Sequence, residues 1–288
     1  GLAPTFHGRL GNCRVEGFIP NMAISPDDMG VGEVQWKIAE AVAALHAHTM
    51  PAGDADADTN VWQKLHRLFD VAEGVSFVDD APDKQAIVDG LALSQAHAAL
   101  SRIHDLVQEM TCSDLDKSGE NGGNELFERG RAIAMETVLT HGDLLSGNLL
   151  LRNDDGRVVI IDYEYAAHNE RAFDIANHFT EHAGFDFEIE EKYPDQEVRL
   201  RFLRRYLMAS GKFNDILQAG DDDKALQQAG LGVDSILPPF VLLSHLFWLA
   251  WAVAQARYSS SDFDYLEYAV ARRRGFDYHS TSFGIQFN

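Results

Sequence analysis

Residues 138 to 165 read Val138-Leu-Thr-His141-Gly-Asp143-Leu-Leu-Ser-Gly-Asn148-Leu-Leu-Leu-Arg152, then Asn153-Asp-Asp-Gly-Arg157, then Val158-Val-Ile-Ile-Asp162-Tyr-Glu-Tyr165. Two apolar runs flank an Asn/Asp/Gly turn, which predicts a β-hairpin. His141, Asp143 and Asn148 form H-x-D-x-x-x-x-N, and the second run delivers Asp162 fourteen residues after Asn148. Arg171-Ala-Phe-Asp174-Ile-Ala-Asn177-His follows, with the spacing of a helix.

The chemistry of phosphoryl transfer explains this spacing. Protein kinases place a catalytic Asp and a metal-binding Asn this far apart, then a second metal-binding Asp at the end of a hairpin. One carboxylate must meet the substrate hydroxyl. An amide oxygen and a second carboxylate must hold Mg²⁺ on the phosphates. The competing reading makes Asp143 and Asp162 loop caps or turn formers. Two Asp residues that each follow an apolar β-type run are hard to explain by turn chemistry alone.

A chain of 288 residues is long enough for one large or two medium domains with a substantial core. A net charge of −21 argues against a nucleic-acid or anionic-membrane surface. It suits a cationic substrate, although acidic chains are often simply soluble ones. Two cysteines, Cys13 and Cys112, imply no disulfide framework and point to a reducing, cytoplasmic compartment. No signal peptide is read at Gly1-Leu-Ala-Pro-Thr. The richest apolar run, Ile236 to Ala256, contains Pro, Ser, His and Gln and reads as a buried helix, so no stable membrane insertion is expected.

In order, residues 4 to 19 read as two strands around Gly11-Asn12, stopped by Pro20. Ser25-Pro-Asp-Asp predicts a helix start, and Val34 to His48 an amphipathic helix. Pro51 to Thr59 reads as a loop, and Asn60 to Val71 and Asp83 to Met110 as helices, the second a long one. Ser113 to Asn124 reads as a disordered loop and Glu125 to Glu136 as helical. Further helices are predicted over Arg171 to Gly184, Pro194 to Ser210, Asp222 to Ala229, Pro239 to Tyr258 and Phe263 to Phe276. The pattern is α+β: one hairpin in a mostly helical body, with two strands ahead of it.

Several motifs resemble those of the choline/ethanolamine kinase family, which has a protein-kinase-like fold. His141-Gly-Asp-Leu-Leu-Ser-Gly-Asn148 resembles its catalytic loop, Ile161-Asp-Tyr-Glu-Tyr165 its metal-binding segment and Phe173-Asp-Ile-Ala-Asn-His-Phe179 the following helix. Val15-Glu-Gly-Phe-Ile-Pro20 is similar to its hinge. His245-Leu-Phe-Trp-Leu-Ala-Trp251 and Phe263-Asp-Tyr-Leu-Glu-Tyr268 are similar to its substrate segments. Asp143-Leu-Leu, Ile161-Asp-Tyr-Glu-Tyr165 and Thr180-Glu-His-Ala-Gly184, with Tyr193-Pro-Asp195 beyond, lean toward the ethanolamine branch.

The resemblance implies ATP-dependent phosphorylation of an amino alcohol, ethanolamine or choline, with Mg²⁺. Asp143 would accept or orient the hydroxyl proton, Asn148 and Asp162 would hold the metal, and His141, Asp174 and Asn177 would brace the loop. Backbone groups of Glu16, Gly17, Phe18 and Ile19 would meet the adenine. Trp248 and Trp251, three apart on one helix, and Phe263, Tyr265 and Tyr268 on the next would cage the substrate's ammonium, with Glu181 as anionic partner. On spacing alone these aromatics read first as core, a reading the resemblance reverses for Trp248, Trp251 and Tyr268, and Asp174 and Glu181 read as helix charges. His46 with His48, and His178 with His182, have spacings that could bind a metal, but neither pair has the HExxH form.

The sequence departs from the family pattern in two places. His-Gly-Asp stands for the usual His-Asn-Asp, with little effect expected at a loop residue. The first lysine is Lys37, on a predicted helix. Residues 1 to 24 therefore read as the end of an N-terminal lobe plus hinge, and 25 to 288 as the helical C-terminal lobe. On that expectation the N-terminal lobe is largely absent and the chain is a fragment. The rival readings are a non-catalytic pseudokinase and an aminoglycoside-type phosphotransferase. A homodimer is left open.

Overall fold

The computed structural model describes residues 3–11, 13–48, 60–112, 122–217 and 222–287. The loops expected over Pro51–Thr59 and most of Ser113–Asn124 lie outside the described residues. The chain opens with β1 (Phe6–Leu10) and β2 (Cys13–Glu16), an antiparallel pair turning at Gly11, then β3 (Asn21–Ala23). Ser25 and Asp28 close a capping interaction, the Ser25 N–H donating to Asp28 Oδ2 at 2.9 Å. That cap holds a single 3₁₀ turn over Pro26–Asp28, and α1 (Gly32–His46) begins after it.

Next come α2 (Val61–Glu73), α3 (Pro82–Gly90), α4 (Leu93–Cys112) and α5 (Gly122–Ala134). The single helix expected over Asp83–Met110 is two helices. The break falls at Leu91-Ala92, where Ala92 takes φ +50°. Gly90, the weakest helix former in that stretch, was the available signal.

The central stretch forms four strands and a short helix. β4 (Thr137–Thr140) pairs antiparallel with β7 (Ala167–Glu170). β5 (Leu149–Arg152) and β6 (Val158–Ile160) make the predicted hairpin, and β3 joins the outer edge of β5. α6 (Arg171–Thr180) follows β7 directly, ending in a 3₁₀ turn over Glu181–Ala183.

The remainder is helical: α7 (Ile189–Lys192), α8 (Gln196–Ala209), α9 (Asn214–Leu217), α10 (Asp222–Tyr258) and α11 (Tyr265–Ser282). Asp195 caps α8 and Asp264 caps α11 through their carboxylates. The two helices expected over Asp222–Ala229 and Pro239–Tyr258 are one. Pro238 and Pro239 lie inside it, leaving two carbonyls one turn back without their usual N–H donors. Packing overrides that cost. α10 is the core helix, buried against α5, α6, α8 and α11, with Leu237, Phe240, Val241, Leu242, Leu243 and Leu246 all inaccessible. It is long and apolar enough to cross a membrane by composition, and 89% of its most apolar window is buried inside the protein. An all-round apolar helix of this kind is what a core position requires.

Candidate active site

The loop of residues 141–148 sits between β4 and β5, and the fold fixes it from behind. Asp174, on the first turn of α6 and fully buried, accepts the N–H of His141 at 2.7 Å on Oδ2 and that of Gly142 at 2.7 Å on Oδ1. Asn177, one turn on, accepts the Leu144 N–H at 3.2 Å and donates to Ser244 Oγ on α10 at 3.1 Å. His141 Nδ1 receives the Asp143 N–H at 3.2 Å, and its Nε2 donates to the Ile161 carbonyl at 2.8 Å. The loop is thus tied to the segment that ends in Asp162. Gly142 has φ +82°, and a Cβ there would sit 3.0 Å from the Tyr165 carbonyl. The positive φ and this close approach to Tyr165 both favour Gly at position 142.

Behind Asp174 runs a buried relay with one consistent set of donors. Arg171 donates to Tyr206 Oη at 2.7 Å, Tyr206 to His46 Nδ1 at 2.7 Å, and His46 Nε2 to Asp174 Oδ2 at 3.0 Å. Burial keeps His46 neutral, its pKa below the ordinary range. Despite complete burial, the contacts of His46 and the loop N–H groups hold Asp174 below the usual carboxylate range. His46 therefore serves as a donor. The other histidine pair, His178 and His182, is buried with both Nε2 atoms unpartnered. No group of three or more metal-binding side chains from His, Cys, Asp and Glu occurs among the described residues.

On the open side, Asn148 donates Nδ2 to both the backbone carbonyl and Oδ2 of Asp143, each at 2.9 Å. With its nitrogen so committed, the group Asn148 can offer a ligand is its oxygen. Asp162 is exposed and holds a left-handed conformation, φ 63° and ψ 65°, in the corner that follows β6. That conformation is costly for a residue with a side chain and recurs at functional sites. Burial pushes the Asp143 carboxyl up to about 7, helped by the charges of Glu181 and Asp162 and opposed by the Asn148 amide and Arg272. Asp143 and Asn148 are thus in contact, and Asp162 lies near enough for its charge to act on Asp143; their oxygens are the hard donors that suit Mg²⁺.

The five predicted rings come together beside this group. Trp248 lies 5.3 Å from Trp251, and Trp251 is 5.4 Å from Tyr265 and 6.4 Å from Tyr268, centroid to centroid and edge to face. Phe263 completes the set at 5.0 Å from Tyr265 and 5.7 Å from Tyr268. Tyr165, which the ring motifs did not include, packs on Trp248 at 5.3 Å and so joins the rings to the segment that carries Asp162.

Glu181 is neither an exposed helix charge nor unpartnered. It is 6% exposed and forms an ion pair through Oε1 with Nη2 of the fully buried Arg272 on α11. Arg272 also donates to Tyr268 Oη from Nε at 2.9 Å, and its guanidinium lies 4.2 Å from the Phe187 ring centre. The motifs missed Arg272. The available signal was its position four residues after Tyr268, on the same helical face.

Glu16 to Ile19, the residues expected to form a hinge, run from the end of β2 toward β3. Gly17 donates to the Thr5 carbonyl at 2.7 Å, and the Phe18 side chain is 88% exposed. The Asn153 N–H binds the Pro20 carbonyl at 3.0 Å, which fastens this segment to the β5–β6 hairpin.

The architecture is protein-kinase-like, mixed helix and sheet and mostly helical. The structure matches a solved Plasmodium vivax ethanolamine kinase with a TM-score of 0.73 at 24% identity, covering 96% of this chain and 68% of that one. It matches a choline kinase from Cryptosporidium parvum at 0.72 and 22%, covering 99% and 76%. The chain belongs to the choline/ethanolamine kinase family, whose sequence model matches residues 1–277.

Among curated relatives, a probable ethanolamine kinase of Arabidopsis thaliana is 28% identical over 94% of this chain and 62% of its own length. The ethanolamine kinase of Drosophila melanogaster is 30% identical over 94% and 47%, and human ethanolamine kinase 1 is 31% identical over 94% and 54%. The chain thus spans between about half and two thirds of the length of these relatives.

Proposed function

We propose that the protein transfers the γ-phosphoryl group of ATP to the hydroxyl of ethanolamine, with choline as the alternative acceptor. The observation that carries this reading is the juxtaposition of Asp143, Asn148 and Asp162 with the ring cluster around Trp248 and Trp251. The names of the relatives at about 30% identity support the ethanolamine branch.

Asp143 receives or orients the hydroxyl proton. Its carboxyl, near 7, is poised close to neutral pH, as a proton acceptor should be. Asn148 Oδ1 and Asp162 would hold Mg²⁺, which neutralises charge on the phosphates when bound. His141, Asp174 and Asn177 hold the loop so that little reorganisation accompanies transfer. Trp248, Trp251, Phe263, Tyr265, Tyr268 and Glu181 receive the ammonium. Glu16, Gly17, Phe18 and Ile19 offer backbone groups to the adenine, with residues 1–24 as the end of one lobe and hinge and 25–288 as the other lobe. The composition suits the reducing cytoplasm.

A substrate panel on the intact protein, with ethanolamine, choline and an aminoglycoside beside ATP and Mg²⁺, tests the reading. Phosphoethanolamine as the favoured product is expected. Transfer to the aminoglycoside but to neither amino alcohol overturns it.

A further inference from the structure

The rings that should receive a cation already face one. The Arg272 guanidinium is permanently charged and 0% exposed. It lies 4.2 Å from the ring centre of Phe187, 5.0 Å from that of Tyr268 and 6.0 Å from that of Trp248. Burying such a group is costly unless its donors are matched. Its donors reach Glu181 Oε1, Tyr268 Oη at 2.6 and 2.9 Å, and Thr180 Oγ1 at 3.4 Å. Two of these partners, Glu181 and Tyr268, are the acid and one of the rings assigned to the ammonium. Glu181 Oε2 accepts no hydrogen bond from the described residues. Glu181 therefore offers the pocket one oxygen while the other is held.

This arrangement has two consequences. A carboxylate on a 3₁₀ turn has several rotamers, and the ion pair with Arg272 selects one of them. Asp143 and Glu181 are also like charges facing one pocket, close enough for Glu181 to act on Asp143. A fixed positive charge behind Glu181 reduces that repulsion.

We infer that Arg272 is a positioning residue for the acceptor: through Glu181 Oε1 and Tyr268 Oη it fixes the carboxylate and the ring that meet a small ammonium, without touching that ammonium itself. This rests on the amino-alcohol reading above. Arg272 also ties α11 to the end of α6, so its loss should cost stability as well, and the split between KM for ethanolamine and KM for ATP separates positioning from support of the fold.

The test compares the intact wild-type protein with Arg272→Lys, Arg272→Met and the double variant Arg272→Met/Glu181→Gln. The readouts are KM for ethanolamine, KM for ATP, kcat, and ethanolamine binding followed by the fluorescence of Trp248 and Trp251. Arg272→Met should raise the ethanolamine KM and dissociation constant by roughly tenfold or more, as loss of one partner of a buried charge pair does. KM for ATP should stay in place and kcat should move less than KM. Arg272→Lys should recover part of the loss.

The double variant removes both charges, so it should regain the thermal stability that Arg272→Met loses, but not the ethanolamine affinity. It also serves if Arg272→Met fails to fold. Wild-type ethanolamine KM in Arg272→Met, or in the double variant, overturns the inference and leaves the amino-alcohol reading standing. A wild-type protein that neither binds nor phosphorylates an amino alcohol overturns both.

Discussion

Asp174 accepts the backbone N–H of Gly142 at 2.7 Å, and so joins the first turn of α6 to the loop that carries Asp143. Its other oxygen takes His141 N at 2.7 Å and His46 Nε2 at 3.0 Å. Every one of these contacts is a donor pointing at a carboxylate. Asp174→Asn turns one acceptor into an NH₂ group that must face at least one of those donors. Charge-assisted bonds are lost in a buried place, at a cost of about 2 to 4 kcal/mol. Urea unfolding should show a lower midpoint with an unchanged slope, and turnover should fall more than nucleotide affinity. A wild-type midpoint would show that the clamp carries no stability.

The crossing of α5 and α10 makes a prediction independent of catalysis. A Cβ on Gly232 would lie 2.0 Å from the Phe127 carbonyl oxygen, and one on Gly130 would lie 2.0 Å from that of Ala229. Both obstacles are backbone, so a side chain cannot swing aside. Gly232→Ala must push two helices apart, and a loss of about 3 kcal/mol or more is expected, at the upper end for overpacking. Thermal or urea unfolding checks it. A change below about 1 kcal/mol would mean that the crossing is looser than described.

Acid should destabilise the protein through its buried histidines. Burial lowers His178 and His279 to about 4, and lowers His46, His182 and His245 as well. Each pKa is lower folded than unfolded, so the unfolded chain takes up the proton first. The stabilisation is whole above about pH 6.5 and is lost as pH falls toward 4. For His178 alone the fall corresponds to about 3 kcal/mol. Asp143 acts in the opposite sense between about 7 and the ordinary carboxylate range, because its folded pKa is raised, and it offsets one histidine of the five. The urea midpoint should drop between pH 7.5 and pH 5. A flat profile would contradict neutral burial of these rings.

The loop, the hairpin and the metal-type side chains were legible because local chemistry sets them. The apolar runs and the Asn153-Asp-Asp-Gly156 turn fix the hairpin, and the spacing brings Asn148 and Asp162 to one end of it. The ring cluster was legible only through the family resemblance added to helical spacing, since spacing alone favoured core. What stayed hidden depends on distant partners. β7 reads Ala-His-Asn-Glu, with no strand signal, and is a strand because β4 pairs with it. α10 runs through Pro238 and Pro239 because the surrounding helices, α2, α4, α5, α6, α8 and α11, enclose it. Arg272 reads as one of three consecutive surface arginines, and only the fold shows that it alone of them is fully buried, opposite Glu181.

Asp143→Asn tests the central claim most directly. The change keeps the size of the side chain and an oxygen for the Asn148 amide, and removes the carboxylate that would meet the substrate hydroxyl. The measurement is kcat for ethanolamine phosphorylation by the intact protein, beside the dissociation constant for ATP with Mg²⁺. Turnover reduced by about a hundredfold or more, with nucleotide affinity kept, is the predicted result. Turnover close to wild type would contradict the assignment of Asp143 and with it the account of the site.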